Sequence, residues 1–152
     1  MAAYLGVDIY TIATIDILIQ TIAYLILIMG FLFARKQNFR RHGLFMGIAT
    51  LLVFMSLFVV MLPAFYSLVS GISTERMQLP ISISVIHHIL GVTSLAMAVV
   101  AIVVLRPCGS VRGNKKLGNV LKYMRLLLTF WSITYFLGIV VYLMFYTAIL
   151  SY

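Results

Sequence analysis

The stretch ISISVIHHILGVTSLAMAVVAIVVL, residues 81–105, contains two adjacent histidines and no aspartate, glutamate, lysine or arginine. A helix needs about 20 predominantly apolar residues to cross the hydrocarbon core of a bilayer. The stretch therefore reads as a transmembrane helix that carries two imidazoles at membrane depth. Pro80, just ahead of it, suits a first helical turn, where the missing N–H is not needed.

Three further apolar stretches flank this one, at residues 9–34, 44–69 and 126–150. Charged or turn-rich segments separate them: residues 35–43, 70–80 and 106–118, the last with Pro107, Gly109, Gly113 and Asn114. The sequence predicts an all-α integral membrane four-helix bundle forming a single domain over residues 1–152. A β-barrel would need alternating strands of about ten residues, which are absent. Composition agrees: 64% of the chain is apolar, 9% is charged, and the mean hydropathy is +1.15. A soluble domain of 152 residues could not hide that much apolar surface, so lipid is the expected outer solvent. No internal repeat is visible. The segment MAAYLGVDIY has no basic residue before its apolar run and reads as part of a retained span, not a cleaved signal.

The charges indicate sidedness. Arg35, Lys36, Arg40 and Arg41 lie between the first two spans, and Arg106, Arg112, Lys115, Lys116, Lys122 and Arg125 between the last two. Ten of the eleven basic residues thus share one side. The positive-inside rule places both basic loops in the cytoplasm and both termini outside, in a multi-pass protein of the cell membrane. The net charge of +8 reads as a topology signal with contact to anionic lipid headgroups, and no nucleic acid partner is expected. Cys108, the only cysteine, cannot form an internal disulfide or a thiolate zinc site, and reads as an inert thiol at the cytoplasmic surface.

Ionisable residues inside a span cost on the order of 2.5 to 3.5 kcal/mol on insertion scales and usually face the bundle interior. Asp16, His87 and His88 qualify. Counting at about 1.5 Å per residue, Asp16 and His87 both lie about 10 Å below the outer surface, with Met61 and Tyr142 at a similar level. Stepping by three and four gives the inward stripes. On the first helix these are Ala13, Asp16, Gln20, Ala23, Leu27, Gly30 and Ala34. On the second they are Gly43, Gly47, Thr50, Phe54, Leu57, Met61 and Ala64. The third gives His87, Gly91, Ser94, Ala98 and Ala101, with His88 nearer the edge, and the fourth gives Trp131, Tyr135, Gly138, Tyr142 and Phe145. Pro63 is expected to bend the second helix near this layer.

Three chemistries fit the layer. His87 can serve as an axial haem ligand, with Met61 or His88 as partner. Asp16 and His87 can form a proton-relay or quinone-binding pair. Asp16 and His87 can also simply hydrogen-bond each other and fix helix register. His42 lies about 25 Å in depth from His87 at helical rise, too far to share one iron, and reads as an interfacial neighbour of the basic run. Met46, Tyr123 and Arg125 could complete a second site around it. Tyr4, Tyr10, Phe65, Tyr66, Tyr146 and Tyr152 read as an outer aromatic belt. No nucleophile and base, phosphate loop or zinc set is present, so no autonomous enzyme is expected.

With these residues placed, three motifs carry a family resemblance over about residues 40–145. They are RRHGLFMG at 40–47, VIHHILG at 85–91, and the spaced set Lys122, Arg125, Trp131, Gly138 and Tyr142. In order, topology and spacing the chain resembles a small four-helix membrane protein family of originally unknown function, some of whose members mature haem-copper cytochrome oxidases. The resemblance implies a role in haem or copper delivery to a terminal oxidase, or in its stabilisation, with respiratory oxidase subunits as partners. It implies His42 and His87 or His88 as cofactor contacts. It also implies a histidine at the entry to the fourth helix, where this chain has Val120, Leu121 and Lys122, so the cofactor expectation rests on the outer site around His87. The leading expectation is an accessory or assembly protein of a respiratory haem-copper oxidase that binds haem through His87. A cofactor-free structural subunit of a membrane respiratory complex, and a small proton-coupled transporter using Asp16, are the alternatives.

Overall fold

A computed structural model describes residues 3–4, 7–63, 66, 78–105 and 114–146. Two residues of strand on each side, β1 (Ala3–Tyr4) and β2 (Val7–Asp8), pair antiparallel ahead of the first helix. The rest of the described chain is helical apart from the short link at residues 36–38. Helix α1 spans Ile9–Arg35 and α2 spans Phe39–Ser56, continuing through a wide π-helical turn at Leu57–Met61. Helix α3 spans Gln78–Val100 and ends in a second π turn at Ala101–Leu105, and α4 spans Asn114–Tyr146. All four are long and apolar enough to cross a membrane. Their outward faces present large apolar side chains such as Ile15, Leu18, Ile22, Leu25, Ile89 and Phe136. The chain is a multi-pass membrane protein of all-α class.

The basic segment between the first two spans is helical for much of its length. Only residues 36–38 link α1 to α2, so Arg40 and Arg41 stand in the first turn of α2 instead of in a loop. The link closes as a Schellman cap. Gln37 N–H donates to Ala34 O at 3.0 Å and Asn38 N–H to Phe33 O at 2.9 Å, with Gln37 at φ 56 where glycine is more usual. Asn38 then caps α2, its side-chain oxygen accepting from Arg41 N–H at 3.3 Å. Helix α4 likewise begins twelve residues ahead of its expected apolar span, carrying Lys115, Lys116, Lys122 and Arg125 on helix. Hydropathy marks the lipid-filled portion of a helix, whereas its charged first turns sit at the interface, so the helix outruns the apolar stretch.

Interhelical pairs define the topology. Asp16 meets Ser56, His42 meets Gly30, Tyr24 meets Ser132, Thr21 meets Tyr135, His87 meets Thr134, and Tyr123 meets Met97. Each pair joins antiparallel helices, which gives an up-down-up-down bundle. α1 packs closely along α2 and α3 along α4, while contact across the α2–α3 seam is sparse. The apolar core (Leu27, Ala49, Ala98, Ala101, Leu127 and Trp131) occupies the half nearer the α1–α2 link. Lipid tails are as apolar as leucine, so this core is held by close van der Waals packing around small residues. Polar side chains fill the other half.

Candidate functional site

Helix α1 supplies the centre of the polar half. Both oxygens of the Asp16 carboxylate accept hydrogen bonds, Oδ2 from Gln20 Nε2 at 2.7 Å and Oδ1 from the Ser56 hydroxyl. Gln20 Nε2 also donates to Met61 Sδ at 3.4 Å. One carboxylate and one amide thereby tie α1 to α2. The wide turn makes this possible. Ser56 and Met61 are five residues apart and would lie about 140° apart on a regular α-helix. An i→i+5 turn brings such residues nearly into line, and here Leu62 N–H bonds back to Leu57 O. Pro63 follows directly; it has no N–H, and its ring would collide with the Val59 carbonyl in regular helix. The expected bend is thus taken up as a π turn.

This turn corrects the inward face of α2. Thr50 and Leu57 are buried and Met61 is half-buried, as the stripe anticipated, but Phe54 is 41% exposed and no atom outside its own helix turn approaches the Cβ positions of Gly43 or Gly47. Ala49, Val53 and Ser56 take the interior places instead. Counted back from Met61 in regular steps the face runs through Leu57 and Phe54; through the π turn it runs through Ser56 and Val53. Ala64 lies outside the described residues. The stripes on the other helices stand: Ala23, Leu27 and Gly30 on α1, all five positions from His87 to Ala101 on α3, and Trp131 and Gly138 on α4 are buried.

His87 is 3% exposed, and His88 beside it is half-buried, its Nδ1 on the Ser84 carbonyl at 2.7 Å. The Nδ1 of His87 lies 3.0 Å from the Thr134 carbonyl oxygen. A carbonyl only accepts, so Nδ1 carries the proton and Nε2 presents a lone pair in the neutral ring. The ring rests on α4 at Gly138, where an added Cβ would lie 2.9 Å from His87 Cε1 and 3.5 Å from Gln20 Oε1. Gly138 is therefore a seat for the imidazole, and it brings Gln20 and His87 against the same spot. Asp16 and His87 do not bond each other directly: the described hydrogen bonds of Asp16 go to Gln20 and Ser56, and that of His87 goes to α4. In place of the direct register pair anticipated from the sequence, Asp16 and Gln20 tie α1 to α2 and His87 ties α3 to α4, with Gln20 and His87 both beside Gly138.

A cavity of about 30 Å³ lies at the meeting of the four helices, room for one or two waters. Gln20, Leu57 and Met61 wall it from one hairpin. His87, Ser94, Trp131 and Thr134 wall it from the other. Met61 and His87, both expected at one depth, thus line the same cavity from the two hairpins. Tyr142 stands further out: its hydroxyl shares a hydrogen bond with Thr14 at 2.9 Å, and a turn or more inward Tyr135 stacks on Tyr24 with ring centroids 4.4 Å apart. A porphyrin does not fit a space of this volume. Among the described residues no group of three or more histidine, cysteine, aspartate or glutamate side chains is placed to hold a metal ion.

His42 belongs elsewhere. Its Nδ1–H donates to the Gly30 carbonyl at 2.9 Å, fastening α2 to α1 near the link, and Arg41 stacks over Phe33 at 5.6 Å. Of the residues considered for a second site there, Met46 lies with His42 beside Gly30, whereas the Tyr123 hydroxyl donates to Met97 O at 2.7 Å in the α3–α4 hairpin. Cys108 and most of the outer aromatic belt lie outside the described side chains; Tyr66 is described and exposed. Sequence reasoning missed Ser56 and the Thr134 carbonyl. A serine at the depth of Asp16 was a legible signal for the first; a backbone carbonyl has none.

Fold and site together define a polytopic helical bundle with a carboxylate–amide–thioether–imidazole layer around a small internal cavity. Compared with known protein families, with curated protein sequences and with solved structures, the chain finds no match.

Proposed function

We propose that the chain is an accessory or assembly membrane protein of a respiratory haem-copper oxidase, lying in the cell membrane with both basic loops in the cytoplasm and both termini outside. The observation that carries this reading is His87, a buried imidazole whose Nδ1 is held by the Thr134 carbonyl, which leaves Nε2 as the ring's other ligating atom. It stands within VIHHILG, one of the motifs of the family resemblance. A polar group inside a lipid-embedded bundle costs free energy, and beyond fastening α3 to α4 through Thr134 the His87 ring carries a second nitrogen that supports a ligand role.

Within this reading His87 is the ligand group, Thr134 and Gly138 hold its ring, and Asp16 orients Gln20, which holds Met61. His87 would hold a haem, which would supply an iron able to take an imidazole ligand. The cavity is too small for it, so direct haem contact belongs to this proposal only where the two hairpins part along the α2–α3 seam.

Deletion of the chain tests the proposal. Membranes lacking it are expected to show less assembled oxidase in reduced-minus-oxidised spectra, His87→Ala is expected to reproduce the loss, and a tagged chain is expected to co-purify with oxidase subunits. Normal oxidase content without the chain, and no co-purification, overturns the reading. Co-purification with normal behaviour of His87→Ala selects the cofactor-free structural subunit. The haem-binding version has its own readout: a Soret band in the purified protein that His87→Ala removes and His42→Ala leaves.

A further inference from the structure

Three hydrogen bonds join α1 to α4 in one register. Thr14 meets Tyr142, Thr21 meets Tyr135 and Tyr24 meets Ser132, so each step along α1 is matched by an equal step back along α4. Carried on by helical steps of four and three, this register sets Ile28 opposite Leu128, Phe31 opposite Arg125, and Arg35 one residue past the position opposite Lys122. The facing stripe opens in that direction. Tyr24, Ile28, Leu128 and Tyr135 are half-buried, whereas Phe31, Arg35, Lys122 and Arg125 are exposed. Three cations thus gather at the mouth of one groove, at the ends of spans that run Thr11–Arg35 and Val120–Phe145. No aspartate or glutamate occurs between Asp16 and Glu75 or after Glu75, so the helices forming this mouth supply no counter-charge.

We propose that the mouth of the α1–α4 groove binds one anionic phospholipid, its phosphate among Arg35, Lys122 and Arg125 and an acyl chain laid along the groove. Charge, depth and the apolar floor converge on this ligand. A guanidinium offers a planar fork of donors that matches phosphate, and two of the three cations are arginines. Arg125 lies about one turn inside the span that begins at Val120, where a charge without a partner is costly. Inward of the cations the groove is aromatic and open to lipid. Tyr24 stacks on Tyr135 and meets the edge of Phe136 at 6.2 Å, and Phe136 and Leu25 are more than half exposed on its two rims. A free phosphate would use the cations and leave this floor idle. The other basic residues of the α1–α2 link do not share the mouth: Arg41 stacks over Phe33, which lies about 200° round α1 from Phe31. A general attraction of ten basic residues for an anionic leaflet needs no groove, whereas these three residues meet in one. The inference stands on the α1–α4 register and holds for whichever membrane complex the chain joins.

The test is native mass spectrometry of the purified full chain in non-ionic detergent, titrated with phosphatidylglycerol or phosphatidylcholine. The wild type is expected to hold one phosphatidylglycerol with a preference of more than about tenfold over phosphatidylcholine. Arg35→Gln, Lys122→Gln and Arg125→Gln are each expected to weaken phosphatidylglycerol binding about fivefold, as the loss of one interfacial basic residue does. All three positions are exposed, so the fold should survive, and unfolding curves of the variants check this. The double variant Arg40→Gln/Arg41→Gln removes more charge from the same end and is expected to leave the preference unchanged. Absence of a preference for phosphatidylglycerol overturns the proposal. So does an equal loss in the Arg40/Arg41 double variant, which marks diffuse attraction. Displacement of the lipid by equimolar inorganic phosphate overturns it in favour of a free-anion site, and displacement by an equimolar polyglutamate peptide in favour of an acidic protein segment.

Discussion

Gly138→Ala is the sharpest probe of how His87 is held. The added methyl would lie 2.9 Å from His87 Cε1, closer than side-chain carbons approach, and 3.5 Å from Gln20 Oε1. The imidazole cannot swing aside freely, since its Nδ1 is bonded to Thr134 O at 3.0 Å and the ring is 3% exposed. Overpacking of this kind costs about 1 to 3 kcal/mol. Against it, alanine is favoured over glycine in a helix by about 1 kcal/mol. The net expectation in the wild-type background is a loss of about 0 to 2 kcal/mol. In a His87→Ala background the collision is gone, so the same substitution should stabilise by up to about 1 kcal/mol. The coupling between the two positions is then about 1 to 3 kcal/mol, within the range seen for residues in contact. Reversible unfolding of the four variants in mixed detergent micelles measures it. If Gly138→Ala has the same effect in both backgrounds, the ring does not rest on Gly138 and the geometry of the site is wrong.

Other outcomes follow from the same contacts. Asp16→Ala leaves Gln20 Nε2–H and the Ser56 hydroxyl without their shared acceptor, and interhelical polar bonds in membranes average about 0.6 kcal/mol with a maximum near 1.7; the expected loss is about 1 to 3 kcal/mol in the same micelle assay, and a stabilised variant would show that the carboxylate holds nothing together. Pro63→Ala restores a backbone donor for Val59 O and lets α2 close as regular helix, rotating Met61 away from Gln20. In a Cys108→Ser background, a Gln20→Cys/Met61→Cys pair should then be bridged by a short bifunctional thiol reagent more readily with Pro63 present than in Pro63→Ala; equal bridging would separate the π turn from the proline. For sidedness, Gln37→Cys in the same background should react with an impermeant maleimide only from the cytoplasmic face, and Thr74→Cys only from outside, and the reverse pattern would invert the topology.

Much of the architecture was open to reading in the sequence because it depends on local properties. The absence of charge over residues 81–105 and its three counterparts, Asp16 excepted, marks the spans through the cost of charge in hydrocarbon, and the helical period carries the small-residue face of α3 from His87 through Gly91, Ser94, Ala98 and Ala101 into the interior. Depth counting placed Asp16, Met61 and His87 in one zone because helical rise is constant. The same constancy misled on α2, where regular steps put Phe54 inside. The π turn before Pro63 breaks the step, and a proline announces a disturbance without saying whether it becomes a kink or a bulge. The charged starts of α2 and α4 were read as loops because hydropathy responds to side chains, whereas helix continues wherever backbone groups find partners.

The sequence by itself therefore determined the class, the four spans and the presence of a buried carboxylate and imidazole at a common depth, each following from composition or spacing within one segment. The tertiary structure alone decided the partners. Asp16 turns to Ser56 and Gln20, and His87 to the carbonyl of Thr134 and the bare backbone of Gly138. Those pairings depend on the rotation and register of helices far apart in the chain, and a backbone carbonyl or a missing Cβ becomes a binding feature only once another helix is laid against it.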